Sequence, residues 1–360
     1  MESFNNFIIN LSNLKFNYKQ IKSFVGANVK VCAMVKADAY GHGMVDVCKA
    51  INNADYFGVA NVLEAKIIRK FNKNTPILIV GVAELNSLIW CSKNNVAITV
   101  SSVYELQKIL NCLKGETLKL HIKVNTGLNR IGVSSPYEFK QMLSFINLHN
   151  NLILDGVFTH FATKFEDVDF IRFQHNKFLK FVKLIKNKDV IVHSCNSYAT
   201  LNFVKYHHNM VRSGFNLYGW QLHNKLLFKS VLSITSKVVF IHNIKKGESV
   251  GYDRSFKAEK NMVIGVLPIG YADGLDRRLS NNFSVLINGE FVPIIGNICM
   301  DVCMVDLSKV SAAVGDEVTL LGKNGNKSIT PYLYAEALGT SPYEILLKFK
   351  YNRMNRILIK

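Results

Sequence analysis

Apolar positions fall along this chain in two alternating rhythms. The first is a series of short apolar runs bounded by polar residues, at 30–36, 56–60, 76–80, 96–100, 119–125, 153–160, 189–195 and 209–213. Each reads as a strand buried on both faces. Between them lie stretches with helical spacing. Leu11, Leu14, Tyr18, Ile21 and Val25 form one such stripe before the first run, and Leu63 to Phe71, with Glu-Ala-Lys-Ile-Ile-Arg at its centre, forms another. Eight strands alternating with helices predict a parallel (β/α)8 barrel of the TIM type. After about residue 225 the pattern changes. Segments 231–243, 262–269, 283–295, 302–307 and 316–321 are β-rich, with turns at Lys246-Gly247-Glu248 and Asn288-Gly289-Glu290, and helical spacing returns only near 331–338. The expected organisation is therefore α/β: a barrel over 8–225, followed by a mainly β domain over 226–360 that also takes in the N-terminal few residues.

The barrel predicts where chemistry should collect, because active sites of such folds lie at the C-terminal ends of the strands. Lys36 ends the first strand and Lys123 lies near the end of the fifth, with Arg130 in the loop beyond. His160 ends the sixth, Asn196 and Ser197 follow the seventh, and Arg212 ends the eighth. A lysine at the rim of a buried sheet is partly desolvated, which disfavours its ammonium form and leaves a nucleophilic amine suited to Schiff-base chemistry. Tyr40 follows Lys36 among small residues and glycines, where a ligand can approach the backbone.

Composition narrows the function classes. The chain has 360 residues, 49% of them hydrophobic, enough for a sizeable core and two domains. No stretch approaches the ~20 uninterrupted apolar residues of a membrane span. The N-terminal Met1-Glu2-Ser3-Phe4-Asn5-Asn6 lacks the features of a secretory signal. The seven cysteines form neither a CxxC pair nor a metal-ligand spacing, so reduced thiols in a cytoplasmic protein without a metal are expected. A net charge of +18 raises nucleic acid or an anionic membrane as partners. The lysines are scattered, and no zinc finger, RNP motif or basic heptad accompanies them, so neither partner is expected.

Nine stretches, in order along nearly the whole chain, carry a resemblance: Val35–Gly43 (VKADAYGHG), Lys123–Gly132 (KVNTGLNRIG), Thr159–Thr163 (THFAT), His193–Ser197 (HSCNS), Val211–Gly219 (VRSGFNLYG), Val250–Asp253 (VGYD), Pro268–Gly274 (PIGYADG), Gly296–Asp301 (GNICMD) and Tyr343-Glu344-Ile345. Together they resemble the alanine racemase family, pyridoxal 5'-phosphate enzymes that interconvert L-alanine and D-alanine. The resemblance implies a cytoplasmic homodimer with shared active sites, supplying D-alanine for peptidoglycan. It implies that Lys36 holds the cofactor covalently and serves as one catalytic base. Tyr252, brought by the β domain of the second subunit, is the other. Tyr40, Ser197 and the N–H groups of Gly214 and Phe215 resemble the phosphate donors. Arg212 resembles the arginine facing the ring nitrogen. Always protonated, it can donate a hydrogen bond but cannot readily protonate the ring, which makes the cofactor a weaker electron sink and favours racemisation over transamination.

A free tyrosine, with a pKa near ~10, is a poor base and needs nearby positive charge or donors. His160 and Arg212 resemble the residues that supply them. Arg130 resembles the residue near the substrate carboxylate, a role that suits a guanidinium fork. Met300 resembles a substrate neighbour, and Tyr343 the aromatic residue that packs by the catalytic tyrosine and narrows the pocket. Lys123 matches a lysine that is carbamylated in some members. The chain departs from the family at Asn297, where Arg is usual, at Phe165, where an acidic residue is usual, and at Arg353-Met354-Asn355-Arg356, which lacks the usual proline. A decarboxylase of similar architecture would use an acidic partner for the ring nitrogen and a catalytic cysteine. Arg212 and Tyr252 argue against it. A non-catalytic carrier of the cofactor would be a lone barrel, and the motifs in the β-rich segment argue against that.

Overall fold

Runs such as Val96–Val100 and Ile77–Ile79 are buried at every position, and a strand can be buried on both faces only inside a covered parallel sheet. The structure, a computed structural model, describes residues 3–163, 167–220 and 226–360. The chain divides into two compact units, one of Leu14–Ala39 and Gly43–Phe228, the other of Met1–Asn13, Tyr40–His42 and Lys229–Lys360.

In chain order the strands to residue 213 are β1 (Asn6–Asn10), β2 (Lys30–Met34), β3 (Tyr56–Val59), β4 (Ile77–Ile79), β5 (Val96–Val100), β6 (Leu118–Lys123), β7 (Leu152–Phe158), β8 (Ile191–His193) and β9 (Met210–Ser213). β2 to β9 form one eight-stranded sheet, with neighbours in the order β8-β7-β6-β5-β4-β3-β2-β9 and every pairing parallel. From β8 towards β9, Asn209 N–H donates to Val192 O at 3.1 Å and Arg212 N–H to Cys195 O at 3.0 Å, so the sheet is nearly closed as a barrel. Helices alternate with the strands, and the expected first helix spans Leu11–Val25. Side-chain oxygens fix several helix starts: Asn61 accepts from Glu64 N, Ser102 from Glu105 N, Asp167 from Phe170 N and Asn196 from Ala199 N. Each such cap stabilises its helix by about 1 kcal/mol.

The other unit is mainly β. Its path of paired strands runs Phe240–Ile244, Met262–Leu267, Cys303–Asp306, Glu290–Ile295, Ser284–Ile287, Glu317–Asn324, Leu232–Lys237, β1 and Asn355–Ile359. The expected single segment 231–243 is two strands with different partners. Leu232–Lys237 pairs with Glu317–Asn324 and Phe240–Ile244 with Met262–Leu267. The ladder changes at Val238 and Val239, whose N–H groups donate to Asp316 O and Val266 O. Asn288 and Gly289 turn the hairpin between Ser284–Ile287 and Glu290–Ile295 with φ of 49° and 79°, the two positive values of a type I′ turn. The expected helix near 331–338 spans Pro331–Leu338. Among the described residues no helix is long and apolar enough to cross a membrane, and all seven cysteines are free thiols.

Candidate active site

Lys36 lies two residues beyond the last residue of β2, half-buried at the strand's C-terminal end. The next four residues reverse the hand of the backbone. Ala37, Asp38, Ala39 and Tyr40 have φ of 52°, 50°, 56° and 54°. Left-handed backbone costs an L-residue roughly 1–2 kcal/mol, so this turn needs external support. Glu64 provides part of it, accepting from Ala37 N–H through Oε1 and from Ala60 N–H through Oε2, both at 2.7 Å. Asp38 provides more, its Oδ1 accepting from Met44 N–H at 2.7 Å and its carbonyl from Gly43 N–H at 2.9 Å. Burial lowers the Lys36 ammonium pKa from its ordinary value. Arg130 and Arg212 push the same way, against Glu64.

Arg212, buried on β9, is held at both terminal nitrogens. Nη1 donates to His193 Nδ1 at 2.7 Å. Nη2 donates to Thr159 O at 2.8 Å, to Ser194 O at 3.0 Å and, more weakly, to His160 Nδ1 at 3.3 Å. Its guanidinium carbon lies 5.2 Å from the centre of the Phe158 ring. His160 is held well below the ordinary histidine pKa by burial and then by Arg212, Arg130, Lys123 and Lys36. The Lys123 ammonium, buried at the end of β6, is pushed down to about 8 by burial, then by Arg130, Arg212 and Lys36. The barrel strands thus gather Lys36, Lys123, Arg130, His160 and Arg212 into one cationic rim, as expected of the C-terminal ends of the strands.

Ser197 opens the short helix Ser197–Asn202, and its Oγ accepts the Gly214 N–H at 2.9 Å. The Gly214 amide and the Ser197 hydroxyl therefore meet each other, which locates both groups in one place. Phe215 follows, buried. Asn216 Oδ1 accepts from Ser213 Oγ and Leu217 N–H, while its buried Nδ2 has no hydrogen-bond partner. The donor set fits a phosphorylated pyridoxal: a hydroxyl, backbone amides and a spare carboxamide donor for the anion, an amine of lowered pKa for the aldehyde, and a guanidinium for the ring nitrogen.

Four candidates belong to the β-rich unit. Tyr40 lies 6.1 Å from Tyr343, centre to centre, and burial, with Tyr332 adding to it, pushes the Tyr343 phenol up to about 12. Tyr252 is 69% exposed and Met300 53%. Tyr252 sits on a single helical turn, Tyr252–Arg254, rather than on a strand. Asn297 Nδ2 donates to Tyr252 O and to Asp253 Oδ2, both at 3.0 Å. The departure at Asn297 thus leaves a short side chain that braces the Tyr252 turn. Arg353, in the stretch lacking proline, pairs with Asp273 at 2.8 Å and with Asp301 at 2.5 Å. Phe165 lies outside the described residues, as does residue 225 at the expected domain boundary.

Three polar residues of the barrel carried no assigned role in the sequence: His121, Asp155 and His193. Their rings and carboxylate touch, and His193 touches Arg212. The signal was a histidine or aspartate inside a strand run rich in buried apolar residues, Leu-Lys-Leu-His-Ile-Lys or Leu-Ile-Leu-Asp-Gly-Val-Phe, where an ionisable group stays only if it is partnered.

Comparison with known proteins covers the whole chain. The profile of the family described as "Alanine racemase, N-terminal domain" matches residues 9–221, and that of "Alanine racemase, C-terminal domain" matches residues 231–358. Alanine racemase 1 of Caldanaerobacter subterraneus subsp. tengcongensis is 37% identical over 350 residues, covering 93% of this chain and 90% of that protein. The crystal structure of alanine racemase from E. faecalis is similar at a TM-score of 0.93 and 32% identity, covering 99% of this chain and 98% of the other. The histidine racemase of Leuconostoc mesenteroides subsp. sake is similar at a TM-score of 0.87 and 27% identity, covering 99% and 98%.

Proposed function

The chain belongs to the alanine racemase family and is an isomerase, and from that premise we propose that it interconverts L-alanine and D-alanine with pyridoxal 5'-phosphate as cofactor. The observation that carries this reading is Lys36, an amine of lowered pKa at a strand end, grouped electrostatically with Arg130 and Arg212. When bound, the cofactor supplies an aldehyde for a lysine amine and a conjugated ring that draws electrons from the substrate's Cα. Lys36 holds it and accepts or returns the Cα proton on one face at Nζ. Ser197 Oγ, Tyr40 and the Gly214–Phe215 backbone hold the phosphate. Arg212 donates to the ring nitrogen and, being permanently charged, leaves it without a proton. Arg130 orients the substrate carboxylate through its fork.

Tyr252 of the partner subunit serves the opposite face at its phenolic oxygen, so the working form is a homodimer with shared sites. Its exposure supports that role, since a group delivered to another copy must project from its own. Met300 and Tyr343 line the substrate side. His160, kept neutral, links Arg212 to the base network. The seven free thiols are consistent with a cytoplasmic enzyme, and its D-alanine would supply peptidoglycan.

The structural likeness to a histidine racemase makes histidine the second substrate to test. Relatives at 37% identity named alanine racemases favour alanine. Borohydride reduction followed by peptide mapping should trap the cofactor on Lys36, and Lys36→Ala should abolish racemisation of alanine in a chiral chromatographic assay. Label on another lysine, or faster turnover of histidine than alanine, would overturn the reading.

A further inference from the structure

A continuous chain of hydrogen bonds runs inside the barrel from Arg212 to a carboxylate. Arg212 Nη1 meets His193 Nδ1 at 2.7 Å. His193 Nε2 meets His121 Nδ1 at 2.9 Å. His121 Nε2 meets Asp155 Oδ2 at 3.0 Å, and the same oxygen accepts the Tyr56 hydroxyl at 3.1 Å. Arg212, His193 and His121 are buried, and Asp155 is mostly so.

The two ends of this chain fix where the protons are. A guanidinium has donors and no acceptor, so His193 must present a lone pair at Nδ1 and carry its proton on Nε2. That proton is donated to His121 Nδ1, which must be a lone pair in turn. His121 then carries its proton on Nε2 and donates it to Asp155, an acceptor only. Reading from the carboxylate gives the same answer. Reversing His193 sets two donors against each other at Arg212, and reversing His121 sets two donors against each other between the rings and two acceptors at Asp155, so one arrangement of neutral rings satisfies every link. The electrostatics agree. Burial and then Arg212 and His121 hold His193 well below the ordinary histidine range. Burial lowers His121 against the opposing pull of Asp155.

The backbone is shaped for these contacts. β6 and β7 pair Leu120 with Leu154 and then His121 with Gly156, so Asp155 is the extra residue of a bulge. Bulges re-aim side chains. A Cβ at Gly156 would lie 2.3 Å from His121 Cε1 and Nδ1, so the missing side chain makes the room that the ring fills. Phe158 stacks on His193 at 4.8 Å and 9°.

We propose that Asp155, His121 and His193 form a positioning relay for the reaction, fixing the plane of the Arg212 guanidinium so that its donation to the ring nitrogen is set before substrate arrives. The relay rests on the functional reading above, because it acts through Arg212. None of its three members needs to touch substrate or cofactor.

The test reads the rings directly. In protein labelled with 15N-histidine, before and after cofactor removal, the ring nitrogens of His121 and His193 should report neutral imidazoles protonated at Nε2 from about pH 6 to 9. A proton on Nδ1 of either ring, or an imidazolium in that range, overturns the relay, and no variant is needed to learn it. Asp155→Asn removes the charged end. It should lower kcat roughly 10- to 100-fold, as lost outer partners of a functional group do, with KM for alanine within about threefold and with displaced His193 ring signals. Unchanged kcat in the folded variant overturns the proposal, as does a lower kcat with unchanged ring signals. Borohydride labelling separates the two readings. Failure to label Lys36 removes the functional reading, whereas a labelled Lys36 with the wrong ring tautomers removes the relay alone.

Discussion

Lys123 shows burial and like charge acting together on a single amine. An unfolded lysine keeps its proton to about pH 10.4, whereas in the fold Lys123 releases it near about 8. Between those values the unfolded chain binds more protons, so stability rises with pH through that window, and below it the full cost of the buried ammonium is present. Lys123→Met should therefore stabilise the protein at about pH 7 by roughly 1–3 kcal/mol. Its advantage should shrink as pH climbs from about 8 to 10. Urea unfolding at both ends of the window measures it, and an advantage that does not change with pH would contradict the assigned cause. A neutral amine is also the form that captures carbon dioxide, which suits the resemblance of Lys123 to a carbamylated lysine. At this scale the sequence displayed the residues that end strands, Lys36, His160 and Arg212, because rim positions follow from the strand pattern. It did not display His121 or Asp155 as a pair, because their meeting depends on a register shift that no local pattern encodes.

The pairing of β6 with β7 carries that shift, and Gly156 is its steric condition. Gly156→Ala forces a methyl against the imidazole of His121, a ring held at both nitrogens and so unable to retreat cheaply. The variant should lose about 1–3 kcal/mol, the usual cost of overpacking a core, in a denaturant titration. A loss of only a few tenths would mean that the ring can move. The alternation of apolar runs and helical stripes was enough to place all eight barrel strands, since both periods follow from backbone geometry alone. The break at Val238 and Val239 was hidden because an apolar run reads the same whether the chain keeps its ladder or changes partner. The Tyr252 turn was hidden for a related reason, since Val-Gly-Tyr-Asp holds no period.

Over the whole molecule, the ordered motifs lie in both compact units, and the two family profiles span the chain on either side of residues 222–230. The proposed completion of the site by a second copy has a consequence for mixtures. Lys36→Ala and Tyr252→Phe chains, each inactive as a homodimer, should restore activity when unfolded together and reassembled. Half of the dimers formed at random are mixed, and one of the two sites in each mixed dimer has both bases, so recovery should reach about a quarter of the parent activity. No recovery, with mixed dimers verified by mass, would place both bases in one chain. The family was legible because its motifs sit at turns and strand ends throughout the chain. The push of the rim cations on one another was not, since Lys36, the Lys123–Arg130 stretch and Arg212 are far apart in sequence and only the fold of the sheet brings them together.

The turn after Lys36 can also be described by chirality. Four successive residues, Ala37 to Tyr40, hold backbone angles that mirror-image amino acids adopt without strain. A ribosome offers that segment only L-residues and one achiral alternative, glycine. Side chains branched at Cβ are the least able to follow the chain through it, and the stretch in fact contains none. The freedom of these four positions to vary is therefore set by handedness before any question of catalysis arises, and the lysine proposed to work on both enantiomers of its substrate is anchored to a run of four residues where the chain itself turns the other way.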